Sequence, residues 1–121
     1  MVLRPQPRAQ HVKVIRDDAR RRIDGDLPAD AIMYVINQRI GAVRACYQRA
    51  LQRNAGTTGR VVVRFVILPD GQVPAARIGD SDFDDRDFEG CLRQTVEGMK
   101  FPMAPSGRNT NVTYPFVFRV R

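Results

Sequence analysis

Gly59-Arg60-Val61-Val62-Val63-Arg64-Phe65-Val66-Ile67-Leu68-Pro69-Asp70-Gly71-Gln72-Val73 carries an alternating, β-branched run into a four-residue turn and out again. Successive side chains of a strand point to opposite sides, so Val61, Val63, Phe65 and Ile67 share one face. Val62, Arg64, Val66 and Leu68 share the other, and Arg64 marks that face as partly open to solvent. Pro69-Asp70-Gly71-Gln72 reads as a hairpin turn in which Gly71 is able to take a positive φ. The chain is expected to return antiparallel from Val73 to Ile78. Pro74 lacks an amide donor, which makes the start of that return edge-like or bulged.

Upstream, Ile32, Val35, Ile36, Ile40, Val43, Tyr47, Ala50 and Leu51 recur at helical spacing, with Cys46 beside the stripe. Pro28 suits the first turn of that helix and Asp30 places negative charge near its N-terminus. Gly41 weakens it by about 1 kcal/mol relative to alanine. Asn54, Gly56 and Gly59 close it. Downstream, Asp84 or Asp85 is placed to cap a second helix with the face Phe88, Cys91, Leu92, Thr95, Val96 and Met99, which Lys100-Phe101-Pro102 ends. From Asn111 to Arg121 the chain alternates again, with Val112, Tyr114, Phe116, Phe118 and Val120 on one side. Thr113, Pro115, Val117 and Arg119 fall on the other.

This order predicts an α+β fold: two helices packed on one face of a small three-stranded antiparallel sheet. Val12, Val14 and Ile15 allow an extra N-terminal strand, and residues 17–22 read either as a helical turn or as its polar continuation. Residues 1–11, with Pro5 and Pro7 and no alternation, read as a flexible tail or linker. Residues 12–121 then form one domain, as the length of 121 residues suggests.

The formal net charge is +7, from 20 basic and 13 acidic side chains, and all the basic ones except Lys13 and Lys100 are arginines. Such a balance raises nucleic-acid binding as one reading. Single-strand binders add aromatic side chains on an open surface for stacking. Here the aromatics alternate into core positions, so no nucleic-acid partner is expected. No apolar stretch is long enough to span a bilayer, and residues 1–10 lack the apolar run of a secretory signal.

No catalytic constellation is visible. His11 stands alone, and Ser81 has no histidine at a motif-like spacing. The acidic run Asp80, Asp82, Asp84, Asp85 and Asp87 lacks the central glycine and terminal glutamate of a calcium loop, and reads as capping and solubilising. Neither cysteine lies in a CxxC motif, so no metal site or cofactor is expected. Two readings of Cys46 and Cys91 stand side by side: two buried thiols, or a disulfide between two helices on one sheet face.

Cys46-Tyr47-Gln48-Arg49-Ala50-Leu51, Gly59-Arg60-Val61, Ile67-Leu68-Pro69-Asp70-Gly71-Gln72-Val73, Cys91, Phe101-Pro102 and Tyr114-Pro115-Phe116 occur in that order. Together they resemble the TonB-like C-terminal domain of the myxobacterial AgmX/PglI type, over roughly residues 25–120. The resemblance implies a periplasmic, non-enzymatic domain of an inner-membrane-anchored protein, and therefore a Cys46–Cys91 disulfide. It implies that an inner-membrane motor acts through the domain on an outer-membrane or periplasmic partner, in gliding motility or energy transduction. The expected grip is a partner peptide added to the free edge of the last strand. Asn111, Val112, Thr113, Tyr114, Phe116 and Phe118 form the candidate strip, with Arg64 and Arg119 (and Arg77) lining the other sheet face to attract an acidic segment. A passive module that dimerises through the exposed edge is the first alternative, and an arginine-rich nucleic-acid binder the second.

Overall fold

A computed structural model describes residues 12–16, 20–55 and 57–120. The expected tail at 1–11, and with it His11, lies outside the described residues, as do Gly56 and Arg121. The elements follow in the order β1 (Val12–Arg16), β2 (Arg22–Asp24), α1 (Ala29–Gln38), α2 (Ile40–Arg53), β3 (Gly59–Ile67), β4 (Ala76–Ser81), α3 (Arg86–Glu97) and β5 (Thr110–Val120). The sheet is antiparallel throughout, with strand order β1-β5-β3-β4 and β2 beside β1 on the same flank of β5.

The α+β class is as expected; the helix count, the strand count and the start of the returning strand differ. The long helix is two, because the chain breaks at Arg39, where φ −104° and ψ 6° leave helical geometry. The Arg39 amide closes a tight turn on the Ile36 carbonyl at 3.0 Å. Gly41, just beyond, adds little helical preference to oppose that break. A side chain at Gly41 would meet nothing, so its presence reflects no close packing.

The sheet has five strands among the described residues rather than three. Both additions come from the N-terminal segment: residues 12–16 are strand, as allowed, and residues 22–24 form a second short one.

The returning strand also starts later than expected, at Ala76 rather than Val73. The turn's hydrogen bonds explain this. Its carbonyls are taken by another segment: Phe101 donates to Gly71 at 2.9 Å and Ala104 donates to Pro69 at 2.9 Å. Gly71 has φ +90°, and the Phe101 carbonyl occupies the space a Cβ would need. The turn is therefore drawn onto residues 101–104, and Pro74 can add no ladder bond on the way back.

Val61, Val63, Phe65 and Ile67 of β3 are buried with Val112, Tyr114, Phe116 and Phe118 of β5. Ile32 and Ile36 of α1, Val43, Tyr47 and Leu51 of α2, and Phe88, Leu92 and Val96 of α3 complete this core. Tyr47, Phe83, Phe88 and Phe118 form an aromatic cluster with ring centroids from 4.7 to 6.1 Å apart. Removing one such ring costs about 3–5 kcal/mol. A disulfide joins Cys46 of α2 to Cys91 of α3, with Cα atoms 5.8 Å apart.

Candidate protein-binding surface

The last strand is not an edge. On one side β5 pairs with β3 along its length, from Thr110 opposite Ile67 to Phe118 opposite Gly59. On the other side β2 covers Asn111, Val112 and Thr113, and β1 covers Phe116 to Val120. The expected free edge is therefore corrected: the N-terminal segment supplies the missing neighbours. Val12 is buried and Val14 and Ile23 are half-buried against the core, so burial of aliphatic surface holds this arm in place. Val112, Tyr114, Phe116 and Phe118 direct their side chains into the core, while Asn111 is exposed and Thr113 half-buried.

The true edges are β4 and the β1–β2 arm. β4 is a poor template for strand addition. Its pairing with β3 slips between Val61 opposite Ser81 and Val63 opposite Ile78, which leaves an extra residue at Gly79–Asp80. Such bulges blunt an edge. The amide of Ala76 is already taken by the Glu97 carboxylate at 2.9 Å. The arm is the weaker cover, made of five and three residues whose register on β5 stops at Thr113 and resumes at Phe116.

The face of the sheet away from the core is the second candidate surface. Register places Lys13, Arg22, Arg60, Arg64, Arg77 and Arg119 there, with Ile15, Val62, Val66 and Val117 between them. Arg22, Thr113, Arg64 and Arg77 form one row across β2, β5, β3 and β4. The Arg64 guanidinium lies against Gly79, in the space a Cβ there would take. Arg119 stands on the same face, opposite Lys13. It lies six residues along β5 from Thr113, which is about 20 Å at strand rise, so Arg64 and Arg119 do not share one contact point. Two shallow clefts open here. One of about 440 Å³ is lined by Arg64, Val66, Arg77, Asn111 and Thr113, and one of about 510 Å³ by Arg20, Arg60, Asp82, Val117 and Arg119.

Elsewhere several arginines are engaged. Arg53 pairs with Asp85 at 2.8 Å, Arg93 with Glu97 at 3.9 Å, and Arg108 with Asp26 at 3.2 Å. By contrast, none of the six cations on the open face is paired with a carboxylate of another described residue. Lys13, Arg22 and Arg60 were missed from the sequence. Arg60 could have been found, because it shares its strand parity with Arg64. Arg22 and Lys13 become site residues only once the arm is known to join the sheet. The acidic run is dispersed: Asp85 caps α3, accepting from the Phe88 amide at 3.0 Å, while Asp82 accepts from the Arg60 amide at 2.9 Å. Among the described residues no group of three or more His, Cys, Asp or Glu is placed to hold a metal ion.

This architecture defines a small α+β module built around surfaces rather than an enclosed cavity. Residues 49–120 match the family described as the Gram-negative bacterial TonB protein C-terminal. The chain belongs to that family, which is a periplasmic, non-enzymatic protein-interaction domain of envelope energy transduction. A solution NMR structure of the Pseudomonas aeruginosa TonB C-terminal domain is similar, at 22% identity and a TM-score of 0.46, covering 91% of this chain and 87% of that one. No curated protein matches at a significant level. No helix among the described residues is long and apolar enough to cross a membrane.

Proposed function

We propose that the domain couples an inner-membrane motor complex to an outer-membrane or periplasmic protein by pairing a partner peptide with β5, after the β1–β2 arm yields its place. The observation that carries this reading is the composition of that flank: two short strands, split opposite Tyr114 and Pro115, cover a continuous strand of 11 residues. An incoming strand on β5 regains the main-chain hydrogen bonds the arm gives up. It must also replace the aliphatic contacts of Val14 and Ile23. The ligand is therefore an extended segment with apolar residues at alternate positions. Family membership supports a protein partner in the envelope. The myxobacterial resemblance in the sequence supports gliding motility as the process served.

The test is a proton–nitrogen NMR titration of the oxidised domain with periplasmic segments of candidate outer-membrane partners. Saturable shifts along residues 111–118, with loss of cross-strand contacts between β1 and β5, are the expected result. A bound peptide that leaves the β1–β5 and β2–β5 contacts intact sinks the displacement mechanism.

A further inference from the structure

We infer that the open face of the sheet is a second contact surface, built to take an acidic, extended polypeptide segment across its strands. The inference rests on the reading that the domain grips a protein, and it names the chemistry and the place of a contact separate from the β5 flank.

Three observations carry it. First, six cations share this face, against Asp24 at its β2 end, Asp80 in the β4 bulge and Asp82 in the cleft beside Arg60 and Arg119. All six stand unpaired among the described residues, although carboxylates are spent on Arg53, Arg93 and Arg108 elsewhere. Like charges gathered on one surface repel, and a polyanion that meets them relieves that repulsion and is steered toward them.

Second, the cations are arginines apart from Lys13. A guanidinium fork matches a carboxylate in two hydrogen bonds and is less strongly hydrated than an ammonium.

Third, aliphatic side chains lie among them. Val62 lies opposite Pro115, and Val117 lies between Ile15 and Arg60, each row adjoining the Arg22–Thr113–Arg64–Arg77 row or the Lys13–Arg119 pair. Apolar side chains interleaved with cations suit a chain that offers both acidic and aliphatic side chains, which is a polypeptide. No aromatic residue of β1 to β5 points to this face, so bases have nothing to stack upon.

Strands lie about 4.8 Å apart. Arg64 and Arg77, on neighbouring strands, therefore suit one acidic side chain held between them. Arg22, two strands from Arg64 in the other direction, suits another farther along the segment.

The experiment uses the whole oxidised chain and a ten-residue peptide alternating Glu and Val, with a peptide alternating Lys and Val as control. NMR shifts and fluorescence anisotropy are followed at low and physiological salt. Saturable binding of the acidic peptide is expected, with shifts at Arg22, Arg64, Arg77 and Thr113 and with β1–β5 contacts preserved. Salt should weaken it, because the screening length falls to about 8 Å at physiological ionic strength. The double variant Arg64→Glu/Arg77→Glu should lose about ten-fold or more in affinity, with an unchanged disulfide and an unchanged core spectrum.

Equal affinity in that variant, or equal binding of the lysine peptide, overturns the inference. Vesicles containing phosphatidylglycerol or single-stranded DNA producing these shifts where the acidic peptide does not would also overturn it. A natural partner that pairs along β5 and is indifferent to Arg64→Glu/Arg77→Glu refutes this contact while leaving the proposed function standing. A partner that needs both arginines and leaves the arm in place does the reverse.

Discussion

Arg53 at the end of α2 clamps Asp85 at the start of α3: Nη2 lies 2.9 Å from Oδ1 and 2.8 Å from Oδ2, while Nε reaches Oδ2 at 3.2 Å. The same carboxylate caps α3 through the Phe88 amide. One side chain thus ends the orphaned amides of a helix and ties that helix to its neighbour.

Asp85 should therefore respond to pH. Burial acts to raise its pKa, but the Phe88 amide and the Arg53 guanidinium together outweigh burial and hold it below the usual 3.8. A carboxyl depressed on folding contributes stability above its unfolded value, and that contribution is lost as pH falls through the folded value. Asp85→Asn keeps a capping oxygen and loses the charge. Urea titrations should show wild type more stable than Asp85→Asn at pH 7, with the gap closing below about pH 4. Asp85→Ala should cost about 1 kcal/mol or more at pH 7 through the lost cap. A gap that stays constant from pH 7 to pH 3 would contradict this assignment.

Reduction should weaken the helix layer. The Cys46–Cys91 bond closes a chain separation of 45 residues, for which loop entropy gives about 4 kcal/mol. The urea midpoint of the wild type in reductant and that of Cys46→Ser/Cys91→Ser should agree with each other and fall well below the oxidised midpoint. Arg49 donates to Cys91 Sγ at 2.8 Å, where its charge stabilises a leaving Cys91 thiolate, so Arg49→Ala should slow reduction by a thiol in a timed assay.

Tyr47 should show the opposite pH sign. Its hydroxyl donates to the Thr57 carbonyl at 2.6 Å, and burial raises its pKa above the usual 10.0. A raised pKa means stability that is complete below the unfolded value and lost as pH rises through the folded one. Tyr47→Phe should cost about 1 kcal/mol at neutral pH. Its stability should then fall less steeply than that of wild type above pH 10. Parallel alkaline denaturation curves would argue against Tyr47 as the group responsible.

The arm should govern access to β5. Val14 lies opposite Phe118 on the core side, so Val14→Asp places a charge against apolar neighbours and loosens β1. Apparent affinity for a β5-pairing peptide scales with the fraction of molecules in which the flank is open. Val14→Asp should therefore bind such a peptide about ten-fold more tightly for each ~1.4 kcal/mol by which the arm is weakened. Analytical ultracentrifugation of the same variant should reveal dimers if two exposed β5 flanks pair. Weaker peptide binding in a folded Val14→Asp domain would mean that the arm contributes to the site instead of covering it.

Local chemistry was enough to read the centre of the molecule. The alternation at 61–67 and 112–118 placed the buried faces correctly, since a period of two leaves only one way to bury both runs against the same helices. An acidic cap at Asp84 or Asp85 was legible because a short acidic side chain before an apolar helical stripe has one favourable use; the structure selects Asp85. The membership of Arg64 and Arg119 in the open face followed from the same parity. The break at Arg39 was not legible, because nothing at Arg39 itself interrupts the helical spacing of apolar residues that runs through both helices.

What the sequence alone determined is which side of each central strand is buried, because hydrophobic periodicity is a local property. What only the tertiary structure decided is who stands beside whom. The strands Val12–Arg16 and Arg22–Asp24 are short and weakly patterned, and their pairing is stabilised by contacts with β5, about a hundred residues further along the chain. Long-range pairing turned the expected edge into an interior strand. It also brought Lys13 and Arg22 onto one face with Arg60, Arg64, Arg77 and Arg119, which no local pattern could have grouped.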